Sequence, residues 1–293
     1  MSGSQKLNRV FLSGHRQGNN FRAKGGELFS PAVRWCAPGL LLVTLLIGAA
    51  TLSLIINVYA RPSALGVIFQ PGEFAVLINT VIICAGVTAV VTVTGWILGV
   101  TVRFASHRVT WVIIAVTLCP LLVDQIVRNY AFYFIFRSEG IWAHALRLFG
   151  VQSPPQVLYT RLGIVIGISH GLINLAVIPI WLSLRRLSDS SVHAAWVHGA
   201  TWWRLLLDLV MPASLPGVVV GAFFVFVFTL GYYVTPKMLG GRSGLMISAL
   251  IDDRINTLGD WYGGAALSLF VLVLCLPFML LTPWVLRLLE RQD

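Results

Sequence analysis

Several unbroken apolar blocks of about 20 residues or more constrain the fold of this chain more than any motif does. A helix of about 20 apolar residues crosses the roughly 30 Å hydrocarbon core of a bilayer, and it satisfies its own backbone hydrogen bonds there. Charged residues make up 11% of the 293 positions, against roughly a quarter in a soluble domain. The sequence therefore predicts an all-α polytopic membrane protein. We place six transmembrane helices at residues 36–59, 74–102, 110–127, 162–184, 213–234 and 265–286.

The basic residues indicate how these helices are oriented. Residues 1–34 are polar and basic, and positively charged segments favour the cytoplasmic side. We therefore predict a cytoplasmic basic segment over 1–34, able to contact anionic membrane lipid, and a transmembrane domain over 35–290 with both termini cytoplasmic. The net charge of +10 does not indicate nucleic-acid binding, because no basic stripe alternates with exposed aromatic residues.

Motifs of enzymes do not account for this chain. The sequence has no Gly-x-x-x-x-Gly-Lys-Ser/Thr phosphate loop and no His-Glu-x-x-His. Its four cysteines lie in or beside apolar blocks without a Cys-x-x-Cys pair, so they indicate neither a metal site nor a disulfide framework. We expect a transport component with no catalytic residues, no metal site and no cofactor bound by this chain itself.

The polar stretch between the fourth and fifth apolar blocks carries the most informative motif. It reads His-Ala-Ala at 193–195, Gly-Ala at 199–200, and Pro-Gly at 216–217 where the next block begins. Small side chains let another surface approach the backbone closely, so the stretch predicts a short docking helix near 190–201. The alternative is a plain connector rich in helix-favouring alanines. The candidate docking residues are His193, Ala194, Ala195, His198, Gly199 and Ala200.

This pattern resembles the signature of inner-membrane permease subunits of ATP-binding-cassette importers, which is Glu-Ala-Ala, three residues, Gly, and further on Pro-x-x-x-Pro-Gly. The resemblance covers roughly 36–287 and is strongest to permeases of the spermidine/putrescine type, which also serve opines and related solutes. Supporting segments lie at 120–130, 138–141, 231–241 and 260–266. The sequence departs from the pattern at His193, where the family has Glu, so the usual ion pair with the ATPase is missing.

The resemblance implies a bacterial inner-membrane importer with several partners. A dimer of ATPase subunits would bind ATP and Mg and dock at the cytoplasmic coupling helix between spans four and five. A second permease subunit, expected to be non-identical because of His193, would share the solute path. A periplasmic solute-binding protein would deliver a polyamine or a related small polar or cationic solute. The alternative is a secondary transporter without ATPase partners, which would be expected to show internal repeats and buried charges for ion coupling.

Four residues are candidates for the solute path. Asp124 is an acid at apolar depth, where it meets either a cationic solute or Arg128 at i,i+4 on one helix face. Tyr232 and Tyr233 end the fifth block, and they either stack on an amine or belong to an interfacial aromatic belt. Tyr130 lies in one of the supporting segments.

Overall fold

The structure, a computed structural model, describes the backbone of residues 31–290 and the side chains of residues 38–241 and 244–277. The chain divides into two compact units at Ser53–Leu54, and the second unit carries every site described below. The predicted cytoplasmic segment 1–34 lies almost wholly outside the described residues.

The described chain is helical, and residues 31–290 contain no β-strand, which confirms the predicted all-α fold. A 3₁₀ turn at Pro62–Phe69 follows the first helix. The α-helices are α1 (Pro31–Ala60), α2 (Pro71–Phe104), α3 (His107–Leu122), α4 (Gln125–Phe136), α5 (Ile141–Leu148), α6 (Arg161–Leu184), α7 (Asp189–Val197), α8 (Trp202–Leu230), α9 (Val234–Leu239), α10 (Ile247–Asp252) and α11 (Trp261–Glu290).

Helices lie at all six positions predicted for spans, but they differ in length. Pro38–Ala60 of α1 and the whole of α2, α6 and α8 are long and apolar enough to cross a membrane. The pair formed by α3 and the segment Gln125–Leu148 would make a fifth span, and it is bent by 103°. In α11 the apolar stretch among residues with described side chains is Trp261–Pro277, which is shorter. The count of six spans therefore stays a prediction.

The third predicted helix, over 110–127, is broken in the structure. Helix α3 ends at Leu122 with Pro120 in its last turn, and α4 begins at Gln125. Asp124 caps α4, because its carboxylate accepts a hydrogen bond from the Ile126 N–H at 2.8 Å. Asp is a favoured N-cap residue, so a polar residue that the apolar pattern placed inside one helix instead starts another.

The fifth predicted helix, over 213–234, is shifted toward the N-terminus. Helix α8 begins at Trp202, passes through a π-helical segment at Leu205–Val210 and ends at Leu230. A separate helix, α9, then begins at Val234. Tyr232 and Tyr233 therefore lie in the connection between two helices and not in the last turn of a span.

The centre of the second unit is formed by α2, α6 and α8, whose buried aliphatic side chains make one cluster. Glycines bring the three backbones together. A Cβ on Gly95 of α2 would lie 2.6 Å from the Ala176 Cβ of α6, and one on Gly217 of α8 would lie 2.3 Å from the Pro179 carbonyl oxygen. Small residues commonly allow such close helix crossings in membranes. The Pro-Gly motif at 216–217 therefore has a packing role against α6.

Candidate functional site

Helix α7 occupies the segment in which the sequence predicts a docking helix. The Ser188 hydroxyl accepts a hydrogen bond from the Ser191 N–H at 3.2 Å and caps its start. At its end Gly199 has φ +78°, the Ala200 N–H donates to the Ala195 carbonyl at 3.0 Å, and the Gly199 N–H donates to the Trp196 carbonyl at 2.9 Å. This is a Schellman motif, which favours glycine at the left-handed position. The backbone thus explains why the motif has glycine at 199.

Arg103, near the end of α2, holds the start of α7. Its guanidinium donates to the carbonyls of Leu184 at 3.3 Å and Leu187 at 3.0 Å, and to the Asp189 carboxylate at 2.5 Å. The hydrogen bond and charge of Arg103 hold the pKa of the Asp189 carboxyl below its ordinary value. One side chain therefore connects the ends of α2 and α6 to the first turn of α7.

The outer face of α7 is exposed and carries small and apolar side chains. Val197 is 85% exposed and Trp196 is 46% exposed. Trp196 stacks on Trp202 with a centroid distance of 6.2 Å. Contiguous apolar surface on a polar segment is typical of an interaction site. Of the six predicted docking residues, His193, Ala194, His198 and Gly199 are exposed, and Ala195 and Ala200 are half-buried.

A second candidate site lies where α3 and α4 are broken. Arg128 is only 9% exposed, and its guanidinium donates to the Pro120 carbonyl oxygen at 2.7 Å. No ion pair joins Asp124 to Arg128, because Asp124 is exposed and caps α4. The predicted i,i+4 pair is wrong, since it assumed one continuous helix across both residues.

Arg128 and Tyr232 meet over the middle of α6. Both side chains line the same cavity wall. A Cβ on Gly171 would lie 2.7 Å from Arg128 Nη2 and 3.1 Å from Tyr232 Oη, so glycine makes room for both groups. Asn174, one turn further along α6, is 4% exposed, and its Oδ1 has no hydrogen-bond partner among the described residues.

These side chains line a cavity of about 240 Å³, and Gln125 and Phe228 also contribute to its wall. Gln125, Phe228 and Tyr232 line a second cavity of about 680 Å³ as well, so the two spaces adjoin. The combined site joins the start of α4, the middle of α6 and the end of α8. Broken helices that line a cavity are a recurrent way to build a binding site in a membrane.

The other aromatic candidates have different positions. The Tyr233 hydroxyl donates to the Asp252 carboxylate at 2.7 Å, and it accepts a hydrogen bond from Lys237. The Lys237 ammonium lies 4.8 Å from the Tyr233 ring centroid, at the hydroxyl end of the ring, so the polar end of Tyr233 already has partners within the chain. Tyr233 lines the larger cavity. Tyr130 is 53% exposed and lines neither cavity.

Sequence reasoning underrated three residues of this site. It treated Arg128 only as a partner for Asp124 and named neither Asn174 nor Gln125 as a candidate. On the same helix as Asn174, His170 packs edge-on against Phe132 at 5.4 Å. A basic residue at apolar depth was the available signal, because such residues usually face a cavity or a partner. Within the described residues, no group of three or more His, Cys, Asp or Glu side chains is placed to hold a metal ion.

Comparison with known families assigns the chain. Residues 33–292 match the family described as binding-protein-dependent transport system inner membrane component. The chain belongs to this family. It is therefore an inner-membrane, multi-pass permease component of an ATP-binding-cassette importer and not an enzyme, as the sequence predicts.

Curated relatives of this permease are distant but cover most of it. The spermidine/putrescine transport system permease protein PotB of Escherichia coli (strain K12) is 24% identical over 218 residues, which is 74% of this chain and 79% of the relative. The inner membrane ABC transporter permease protein YdcU of the same strain is 22% identical over 224 residues, 71% of this chain and 70% of the relative. The putative 2-aminoethylphosphonate transport system permease protein PhnU of Salmonella paratyphi A is 25% identical over 148 residues, 50% of this chain and 51% of the relative.

A solved structure supports the fold of this permease. A chain in the crystal structure of a bacterial alginate ABC transporter, in complex with alginate pentasaccharide-bound periplasmic protein, superposes with a TM-score of 0.70 at 14% identity. The superposition covers 88% of this permease and 96% of that chain. At this identity the likeness concerns the fold alone.

Proposed function

We propose that this chain lines the solute path of an importer and transmits the action of a separate ATPase through α7. The proposal rests on two features of α7: its first turn is held by other parts of the protein, and its outer face is exposed. Arg103 holds the first turn of α7 to the ends of α2 and α6, while the outer face presents Val197 and Trp196 to solvent. A helix held in this way can transmit a displacement caused by a docked partner to the packed core of α2, α6 and α8.

Family membership supports the remaining partners. An ATPase dimer, which binds ATP and Mg, would dock on α7 at the cytoplasmic side, with both termini on that side. A periplasmic solute-binding protein would deliver the solute at the opposite end. The exposed imidazole of His193 stands where the family pattern has a carboxylate, so a second, non-identical permease that keeps the Glu is expected to complete the pair of docking helices.

The names of relatives guide the choice of solute. Spermidine and putrescine appear in the name of one relative and 2-aminoethylphosphonate in that of another. We propose a small amine-bearing polar solute, a polyamine or a related compound. Asp124 and Tyr233 contribute less to cation binding than the sequence indicated, because Asp124 caps α4 and the Tyr233 hydroxyl is bonded to Asp252 and Lys237.

The test is gentle affinity purification of the tagged chain from its own membranes, followed by mass spectrometry. An ATPase with a phosphate-binding loop and a second polytopic permease should accompany it. The Val197→Arg variant should lose the ATPase and keep the second permease, because position 197 is on the exposed face of α7 and outside the packed core. Reproducible recovery of the chain alone, in an intact oligomer, would favour the secondary transporter.

A further inference from the structure

Arg128 is a buried charge for which the described chain supplies no carboxylate. It is 9% exposed, and no ion pair among the described residues includes it. A guanidinium stays protonated in proteins, so burial cannot be relieved by loss of the proton. Desolvation of such a group is unfavourable unless an anion compensates it.

The hydrogen bonds of Arg128 leave part of the guanidinium open. Nη1 donates to the Pro120 carbonyl at 2.7 Å. The Tyr232 hydroxyl lies close to Nη2, since a Cβ on Gly171 would be 2.7 Å from Nη2 and 3.1 Å from that hydroxyl. Both neighbouring oxygens are neutral. The Nε atom is buried and has no hydrogen-bond partner among the described residues. Neutral acceptors compensate a buried positive charge only partly, so the site favours an added anion.

Two acidic side chains, one near Arg128 in sequence and one in a neighbouring connection, already accept hydrogen bonds from other groups of the chain. Asp124 caps α4. Asp252 accepts hydrogen bonds from Tyr233, Lys237 and Asn256. No acidic side chain is among the described residues that line this cavity or the adjoining one. A negative charge beside Arg128 would therefore come from outside the described part of this chain.

The cavity around Arg128 also offers an acceptor. Asn174 lines the same wall, and its Oδ1 is buried without a hydrogen-bond partner in the described part of the chain. Guanidinium groups bind carboxylate and phosphonate oxygens through two parallel hydrogen bonds, whereas an amide oxygen accepts from an ammonium group. One wall therefore presents complementary groups for the two ends of a small zwitterion.

We infer that the imported solute carries an oxyanion group, a carboxylate or a phosphonate, which binds Arg128 while its amine lies near Asn174. This inference rests on the proposed importer function and narrows its solute from small amine-bearing compounds to those that also carry an oxyanion group, amino acids or aminophosphonates. The other possible source of the anion is a carboxylate of the second permease. If the solute supplies the anion, substitution of Arg128 weakens the response to solutes with an oxyanion group more than the response to purely cationic solutes. If the second permease supplies it, both responses weaken equally.

The experiment uses the complete complex with its binding protein, purified from native membranes and reconstituted into liposomes. ATP hydrolysis and uptake are measured with 4-aminobutyrate, 2-aminoethylphosphonate and putrescine. The first and third probes have chains of equal length and differ in a carboxylate or an ammonium at one end. We expect stimulation by at least one anionic probe and a weaker response to putrescine. Stimulation by putrescine alone, or by no anionic probe, overturns the inference.

Variants assign the effect to Arg128. Arg128→Gln should raise the half-saturating concentration of the anionic probe about tenfold or more, since it removes a charged hydrogen-bond donor. The half-saturating concentration of Arg128→Lys should lie between those of Arg128→Gln and the wild type. Lysine keeps the positive charge but cannot donate two parallel hydrogen bonds to one oxyanion group. Arg147→Gln, at an exposed arginine on α5, is the matched control and should change nothing.

A second variant covers the case in which Arg128→Gln does not assemble. Tyr232→Phe keeps the guanidinium and removes the hydroxyl that lies beside it in the cavity, and it should raise the same half-saturating concentration severalfold. If both probe types weaken equally in the Arg128 and Tyr232 variants, the anion belongs to the second permease and the inference fails, although importer function stands. If no ATPase accompanies the chain, the proposed function itself fails.

Discussion

The guanidinium of Arg103 lies 2.5 Å from the carboxylate of Asp189, and this contact joins the last turn of α2 to the first turn of α7. The same guanidinium bonds the carbonyls of Leu184 and Leu187, which follow from the end of α6. The position of the exposed helix α7 is thus set by the two helices that form most of the core. A partner that displaces α7 therefore also acts on α2 and α6.

Replacing Asp189 with Asn should loosen α7 without unfolding the helical core. The pKa of Asp189 is held below its ordinary value by Arg103, so the pair's contribution is fully present above the unfolded value of about 3.9. It is lost only as the pH falls through the lower folded value, so the contact should persist from about pH 5 to 8. Hydrogen–deuterium exchange over 186–200 should increase in Asp189→Asn at neutral pH. The exposed Asp208→Asn is the control, and equal exchange in both variants would contradict the role of the pair.

The left-handed backbone at Gly199 predicts which substitutions α7 tolerates. A Cβ at this position would meet nothing within 4 Å, so the constraint is the φ of +78° and not crowding. Asn tolerates this conformation and β-branched residues do not. Gly199→Asn should keep ATP-driven uptake near the wild-type level, and Gly199→Val should lower it severalfold while the protein still inserts. Similar uptake by both variants would show that the Schellman motif is not required.

Substitutions of Asp124 distinguish its role as a helix cap from a role as a solute-binding charge. Asn caps helices about as well as Asp, whereas Ala in this position costs about 1 kcal/mol. Asp124→Asn should therefore match the wild type in uptake and thermal stability, and Asp124→Ala should be less stable. Both quantities can be measured on reconstituted protein. A large loss of uptake in Asp124→Asn at unchanged stability would restore Asp124 as a cation site.

Gly217 should be among the least replaceable positions of α8. An added Cβ would lie 2.3 Å from the Pro179 carbonyl oxygen and 2.6 Å from the Ile180 Cα, both of which are backbone atoms. Forcing the helices apart should lower the free energy of unfolding by roughly 1–3 kcal/mol or more. Thermal denaturation of Gly217→Ala would check this. Gly72→Ala, where a Cβ meets nothing within 4 Å, is the control and should not be destabilised.

Much of the α7 region could be predicted from the sequence because its determinants are local. Ser188, the alanines at 194–195 and Gly199 define a capped helix and its left-handed end over about a dozen residues. Helix propensity, capping and the Schellman motif all operate within one or two turns. Arg103 could not be found in this way, because it reaches α7 from a helix more than 80 residues earlier in the sequence.

The contacts of the cavity residues, in contrast, could not be predicted from the local sequence. Asp124 and Arg128 are four apart, and the apolar run around them favours one continuous helix on which they would pair. The break after Leu122 places the Asp124 carboxylate against the backbone of α4, and the Arg128 guanidinium against the Pro120 carbonyl and beside Tyr232. Asn174 and Tyr232 meet this site from α6 and from the connection after α8.

The sequence by itself determined that the chain is a helical membrane protein, where its main helices lie and which family it resembles, because apolar length and short motifs are properties of contiguous residues. Only the tertiary structure decided which polar groups share a cavity. That depends on how closely α2 and α8 cross α6, which Gly95, Gly217 and their contacts set, and on where a helix breaks. Side chains distant in sequence meet only through this packing, and the periodicity of one helix carries no information about it.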